Sequence, residues 1–222
     1  TTLAFNPDGQ SIATGNSDNT IEIWSVDKGA VERTLRGHTG RVNGLAFGPG
    51  GTRLVSGSTD KTVRVWSTTE GREATTLKAH AASVQCFAFS PDGLRIATGN
   101  HDATIQIWNA QSGMHRQTLT GHEGPVWHVG FSFDGKTIAS ASADETVRLW
   151  NADTGQLDKT LTGHEGHVLA VAFSPDGKML ASAGSDNIVR LWDYRSGALT
   201  QSLEGHERML TSVAFSPDGK TL

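Results

Sequence analysis

Histidine, a hydroxyl residue and aspartate recur together four times in this chain: His38-Ser56-Asp60, His80-Thr98-Asp102, His122-Ser140-Asp144 and His164-Ser182-Asp186. Such a trio can form a hydrolytic triad, in which the imidazole takes the hydroxyl proton and the carboxylate orients the imidazole. That chemistry needs one nucleophile at a strained, exposed turn beside an oxyanion hole. Four near-identical copies, one of them using threonine, are not how a single active site is written. A tryptophan follows each aspartate by 6 residues, at Trp66, Trp108, Trp150 and Trp192. An indole N–H can donate to the hydroxyl, the hydroxyl to the imidazole, and the imidazole to the carboxylate. Each link satisfies a polar group that would cost roughly 1–3 kcal/mol if buried unpaired. The sets therefore read as structural, with no catalytic residue among them. Thr14, Asp18 and Trp24 form a first copy, whose histidine would precede Thr1.

The elements that position these groups repeat every 42 residues. Trp24, Trp66, Trp108, Trp150 and Trp192 fall on one ladder, and Phe5, Phe47, Phe89, Phe131, Phe173 and Phe215 on another. His38, His80, His122, His164 and His206 make a third. Self-similarity at this period, with a Gly-His corner and a closing tryptophan, marks a propeller-type array. Within the fifth period, Val168 to Phe173 reads as an inner strand and Ser-Pro-Asp-Gly at 174–177 as a turn. Met179 to Ala183, Ile188 to Trp192 and Leu199 to Leu203 complete four strands.

These residues carry a resemblance. Four His…Asp…Trp sets, with His-to-Asp spacing of 22 and Asp-to-Trp spacing of 6, and the first copy that lacks its histidine make the chain similar to the WD-repeat family of β-propellers over essentially its whole length. The resemblance implies an all-β fold of four-stranded antiparallel blades around a channel, five complete and part of a sixth. The inner strands would begin near Thr2, Val42, Val84, Val126 and Val168, and the sixth near Leu210. The units run 1–42, 43–84, 85–126, 127–168, 169–210 and, in part, 211–222. The family is known for the histidine–hydroxyl–aspartate–tryptophan tetrad just described. The departures are mild: Gly50-Gly51 for the usual Asp-Gly, Ala79 for the glycine before His80, and Phe133 for a proline. Seven periods would need 294 residues, so the sequence reads as a fragment of a seven-bladed ring or of a longer array.

Composition excludes several functions. The net charge of −4 disfavours a broad basic face for nucleic acid or anionic lipid. Ten of the 23 acidic residues sit at fixed repeat positions, so the acidity is architectural rather than a lure for a basic partner. Cys86 is the single cysteine, which rules out an intrachain disulfide and suits a cytoplasmic protein. No apolar run approaches the roughly 18–20 residues of a membrane helix. Neither a dinucleotide-binding nor a phosphate-loop glycine motif is present, and no cofactor is implied.

Partner contacts in the family often come from the narrow face carrying the Gly-His corners and the aspartate turns. Carried over by register, these positions include Asn43, Thr59, Gln85, Cys86, His101, Trp127, His128 and Leu169, and Arg41 sits next to the same face, where it could pair with a partner carboxylate. Trp127 stands out as the one tryptophan off the ladder, and tryptophan at a partly exposed rim is a frequent interface anchor. His101, His128 and His167 map to or near the same face; a metal site or a pH response is weighed against solvated positions with no common site, and the latter reading is preferred. The expected function is a non-catalytic scaffold or sensor that binds other proteins or peptides through this face, within a larger multidomain protein. An enzyme working at the central channel is the alternative, against which the inner strands carry almost no carboxylates. A purely architectural spacer is the other. Open blade edges would allow self-association if the chain were no longer than this.

Overall fold

A computed structural model describes residues 2–77 and 82–222. It holds five four-stranded antiparallel sheets, each a simple meander in chain order. Blade one is β1 (Thr2–Phe5), β2 (Ser11–Gly15), β3 (Ile21–Ser25) and β4 (Ala30–Leu35). Blade two is β5 (Val42–Phe47), β6 (Arg53–Ser58), β7 (Val63–Ser67) and β8 (Arg72–Leu77). Blade three is β9 (Val84–Phe89), β10 (Arg95–Asn100), β11 (Ile105–Asn109) and β12 (His115–Leu119). Blade four is β13 (Val126–Phe131), β14 (Thr137–Ser142), β15 (Val147–Asn151) and β16 (Leu157–Leu161). Blade five is β17 (Val168–Phe173), β18 (Met179–Gly184), β19 (Val189–Asp193) and β20 (Ala198–Leu203).

The second strand of blades two to five is almost wholly buried, because both its faces are covered, in blades two to four by neighbouring blades and in blade five by blade four and by Leu210, Val213 and Phe215. The outer strands are exposed or half-buried except at their final leucine in blades one to four. The core is a row of seams rather than one centre. Trp66 packs with Ala13, Ile21 and Leu35 of blade one, and Trp108 with Val55 and Val63 of blade two. Trp150 likewise joins the third blade's cluster and Trp192 the fourth's. Each ladder tryptophan from the second onward thus reaches back to the preceding blade and is at most 2% exposed.

Two expectations shift. The inner strand expected from Leu210 forms no ladder: Leu210, Val213 and Phe215 pack on Ala181, Ala183 and Val189, and the chain turns at 216–219. The third strand of blade five begins at Val189 rather than Ile188, because Ile188 N–H is held by the Asp186 carboxylate. Its turn also puts Asn187 at φ 64°, and Asn19, Lys61, Ala103 and Glu145 occupy the same left-handed position in the other blades. Asparagine tolerates that region; the others stay there at a cost of roughly 1–2 kcal/mol each.

Candidate recognition face

The Gly-His corners and aspartate turns are tied together by the polar sets found in the sequence. In blade two, Trp66 Nε1–H donates to Ser56 Oγ at 2.7 Å, Ser56 Oγ–H to His38 Nε2 at 2.7 Å, and His38 Nδ1–H to Asp60 Oδ2 at 2.8 Å. Blade four repeats this through Trp150, Ser140, His122 and Asp144 at 2.8, 2.7 and 2.6 Å. Blade five repeats it through Trp192, Ser182, His164 and Asp186 at 2.8, 2.7 and 2.8 Å. In blade three Trp108 donates to Thr98 Oγ1 at 3.1 Å, while Asp102 is exposed and bonded to Thr104. His80, its proposed fourth member, lies outside the described residues. Ser56, Ser140 and Ser182 are fully buried, so no substrate reaches the hydroxyl that a triad would use.

The electrostatics match a structural role. Burial alone would raise the Asp60 pKa, but hydrogen bonds from Thr62, the Thr39 amide and His38 hold it down at about 2. Burial lowers the pKa of His38 and His164 despite their carboxylate partners, so both imidazoles sit neutral near pH 7. Blade five adds a member: Arg190, itself buried, donates to Asp186 and lies 2.9 Å from His164 Nδ1. Arg64, at the same place in blade two, pairs instead with Glu73 at 2.5 Å.

Above these sets the inner strands break register in one repeated way. Val42 pairs with Ser58 and Gly44 with Gly57, leaving Asn43 as an extra residue. The same bulge leaves out Gln85 in blade three, Trp127 in blade four and Leu169 in blade five. A bulge bends the strand and re-aims the extra side chain. Next to it, the residue before each ladder aspartate is tied down: Thr59 N–H donates to Arg41 O at 2.9 Å and His101 N–H to Ser83 O at 3.0 Å. Arg41, Asn43, Thr59, Gln85 and His101 are exposed, and Trp127, His128 and Leu169 are half-buried. The His101 ring meets Trp127 edge-on, with centroids 6.4 Å apart.

Not every expected residue faces outward. Cys86 packs inward, with Sγ 3.8 Å from Val126 O, and burial pushes its thiol up to about 12. His128 is turned the same way: its Nδ1 is buried without a hydrogen-bond partner, and burial lowers its pKa. Each follows the bulge residue by one, so the re-aiming that turns Gln85 and Trp127 out turns its neighbour in. His167 is exposed, and His115 bonds Thr118 on an outer strand. Among the described residues, no three histidine, cysteine or acidic side chains are grouped to hold a metal. Sequence reasoning did not anticipate the bulges or Arg190; a 42-residue ladder of Arg64, Arg148 and Arg190 was the available sign of the latter.

The model of the WD domain, G-beta repeat, matches residues 1–25, 29–67, 71–109, 113–151, 155–193 and 197–222. The chain belongs to this family. It is a WD-repeat β-propeller chain, and the general role of such repeats is protein–protein interaction. Similar curated proteins include the nuclear distribution protein PAC1-1 of Uncinocarpus reesii, 49% identical over 45 residues, which is 20% of this chain and 10% of that protein. The nuclear distribution protein nudF of Aspergillus terreus shows the same figures, and that of Aspergillus flavus is 52% identical over 40 residues, 18% of this chain and 9% of its own. The chain thus matches about a tenth of the length of these relatives, roughly one repeat. Among the described residues no helix is long and apolar enough to cross a membrane.

Proposed function

We propose that this WD-repeat chain is a non-catalytic recognition module that binds a protein or peptide partner on the Gly-His-corner face, with Trp127 as the anchor. The observation that carries the proposal is the row of bulges, which sets Asn43, Gln85, Trp127 and Leu169 at the same place on four consecutive blades. The tetrads stiffen the turns beside that row, so the side chains are held rather than ordered on binding, which lowers the cost of association. Trp127 supplies a broad, half-buried ring whose N–H is itself buried and has no acceptor among the described residues. A partner carbonyl that satisfies it after a small rotation of the ring adds affinity and direction. Arg41 and His101 give the rim polar character, suited to an acidic or mixed peptide. We place the module in the cytoplasm, within a larger protein, a reading supported by the unpaired Cys86 and the regular repeats.

Photo-crosslinking amino acids at positions 43, 85, 127 and 169 test this, with positions 134 and 176 at the other end of the strands as controls. The same partner should be captured from the first four and not from the controls. Capture from the controls alone would refute the assignment of the face.

A further inference from the structure

Arg53 and Arg95 begin β6 and β10, and each reaches across a seam to the next blade's backbone. Arg53 Nη1–H donates to Ala110 O at 3.0 Å, and Arg95 Nη1–H to Ala152 O at 3.2 Å. There the likeness ends. Arg95 also bonds the Asp153 carboxylate at 2.8 Å and Gly135 O at 2.8 Å. The Asp92 carboxylate, on the turn of the same blade, lies within reach of its charge. Around Arg53 both acids are replaced: Gly50 stands in the place of Asp92, and Gln111 in the place of Asp153. Among the described residues Arg53 makes no ion pair, and its side-chain bond is to Ala110 O.

Open space occupies the vacated place. A cleft of about 260 Å³ is lined by Arg53, Phe89, Leu94, Gln111 and the backbone from Gly48 to Gly50. A Cβ added to Gly50 would meet nothing within 4 Å. Asp92 borders the cleft, but its Oδ1 is engaged by Ser90 Oγ and Leu94 N. Leu94 is 59% exposed at the rim, where the other units carry Gln10, Thr52, Lys136, Lys178 and Lys220.

We propose that this cleft is a second binding site, which takes the carboxylate of an acidic side chain from a protein partner. Arg53 makes with it the charge-assisted pair that Arg95 makes internally with Asp153, and Leu94 and Phe89 take an adjacent apolar residue. A guanidinium fork in a half-buried cleft suits a carboxylate, and the neighbouring seam shows that this geometry accepts one. The first-to-second and third-to-fourth turns both close at this end of each meander, opposite the Gly-His corners. The site is therefore independent of Trp127.

The test titrates the isotopically labelled full chain with acetyl-leucyl-glutamyl amide, following the Arg53 Nε–H and the Gly50 and Gly93 amide signals by NMR. Saturable millimolar shifts are expected, with the glutaminyl analogue about tenfold weaker or more. Gln111→Asp supplies the missing carboxylate from within the chain and should abolish the response, as should Arg53→Gln; both keep the dispersed spectrum of the folded chain. Equal responses to the two probes, an undiminished response in Gln111→Asp, or no shift at Arg53 would overturn the proposal. So would a stronger response to inorganic phosphate than to the glutamyl probe. Binding that survives Trp127→Ala separates this site from the recognition face.

Discussion

The seam between blades three and four and the seam between blades four and five solve one packing problem in opposite ways. In the first, Arg95 crosses to the carbonyl of Ala152, pairs with Asp153 and lies over the Phe131 ring at 5.5 Å. In the second, the arginine position holds Thr137 and the alanine position holds Tyr194. Tyr194 is buried, and its ring meets Phe173 edge-on at 5.1 Å. A long side chain from one blade against a small one is exchanged for a small one against a large. The seam tolerates either solution because the space to be filled is conserved, not the residue that fills it. Around Arg53 neither the acidic partner nor the large ring is present, and a cleft lies beside the guanidinium; clefts also border the Arg95 and Tyr194 seams.

The largest effect should come from emptying the second seam. Tyr194→Ala removes a buried ring and should lower unfolding free energy by about 3 kcal/mol in urea titrations. Adding Thr137→Arg to that variant recreates the Arg95–Ala152 pairing and should recover about 1 kcal/mol. No recovery would mean that the two solutions are not interchangeable. Arg95→Met keeps the apolar stem but strands two carbonyls, and should cost about 1–2 kcal/mol. Arg53→Met, which loses one such bond, should cost less; equal costs would erase the distinction between the clamped seam and the open one.

Acid titration probes the tetrads. His38 and His164 have pKa values lowered below 6.5, so the unfolded chain takes up protons first as pH falls through that value. Their stabilisation is present above pH 6.5 and declines below it. Asp60, held at about 2 against 3.8, adds a second decline below 3.8 that is complete near its folded value. Melting temperature should thus be flat above neutrality and fall in two stages; a rise on acidification would contradict buried neutral imidazoles.

The fold was legible because period 42 repeats chemistry as well as hydrophobicity. A tryptophan, a histidine and an aspartate at fixed spacing leave little freedom in where strands lie. The polar sets were legible for the same reason, down to which atoms can donate. The recognition face was only half legible. Trp127 drew attention by standing off the ladder, yet the bulge that aims it is a two-against-one count between strands, which no single strand displays. Without that count, Cys86 and His128 were grouped with their outward-facing neighbours. Tyr194, Arg53 and Arg95 carried no signal in the sequence, because a seam contact depends on two blades at once.

The most direct test of the account is the affinity of the purified chain for its captured partner, measured by calorimetry for the wild type and Trp127→Ala, with melting temperature recorded alongside. A loss of about tenfold or more, roughly 1.4 kcal/mol, at an unchanged melting temperature is the predicted result. Unchanged affinity would place the partner elsewhere on the propeller and contradict the assignment of the recognition face.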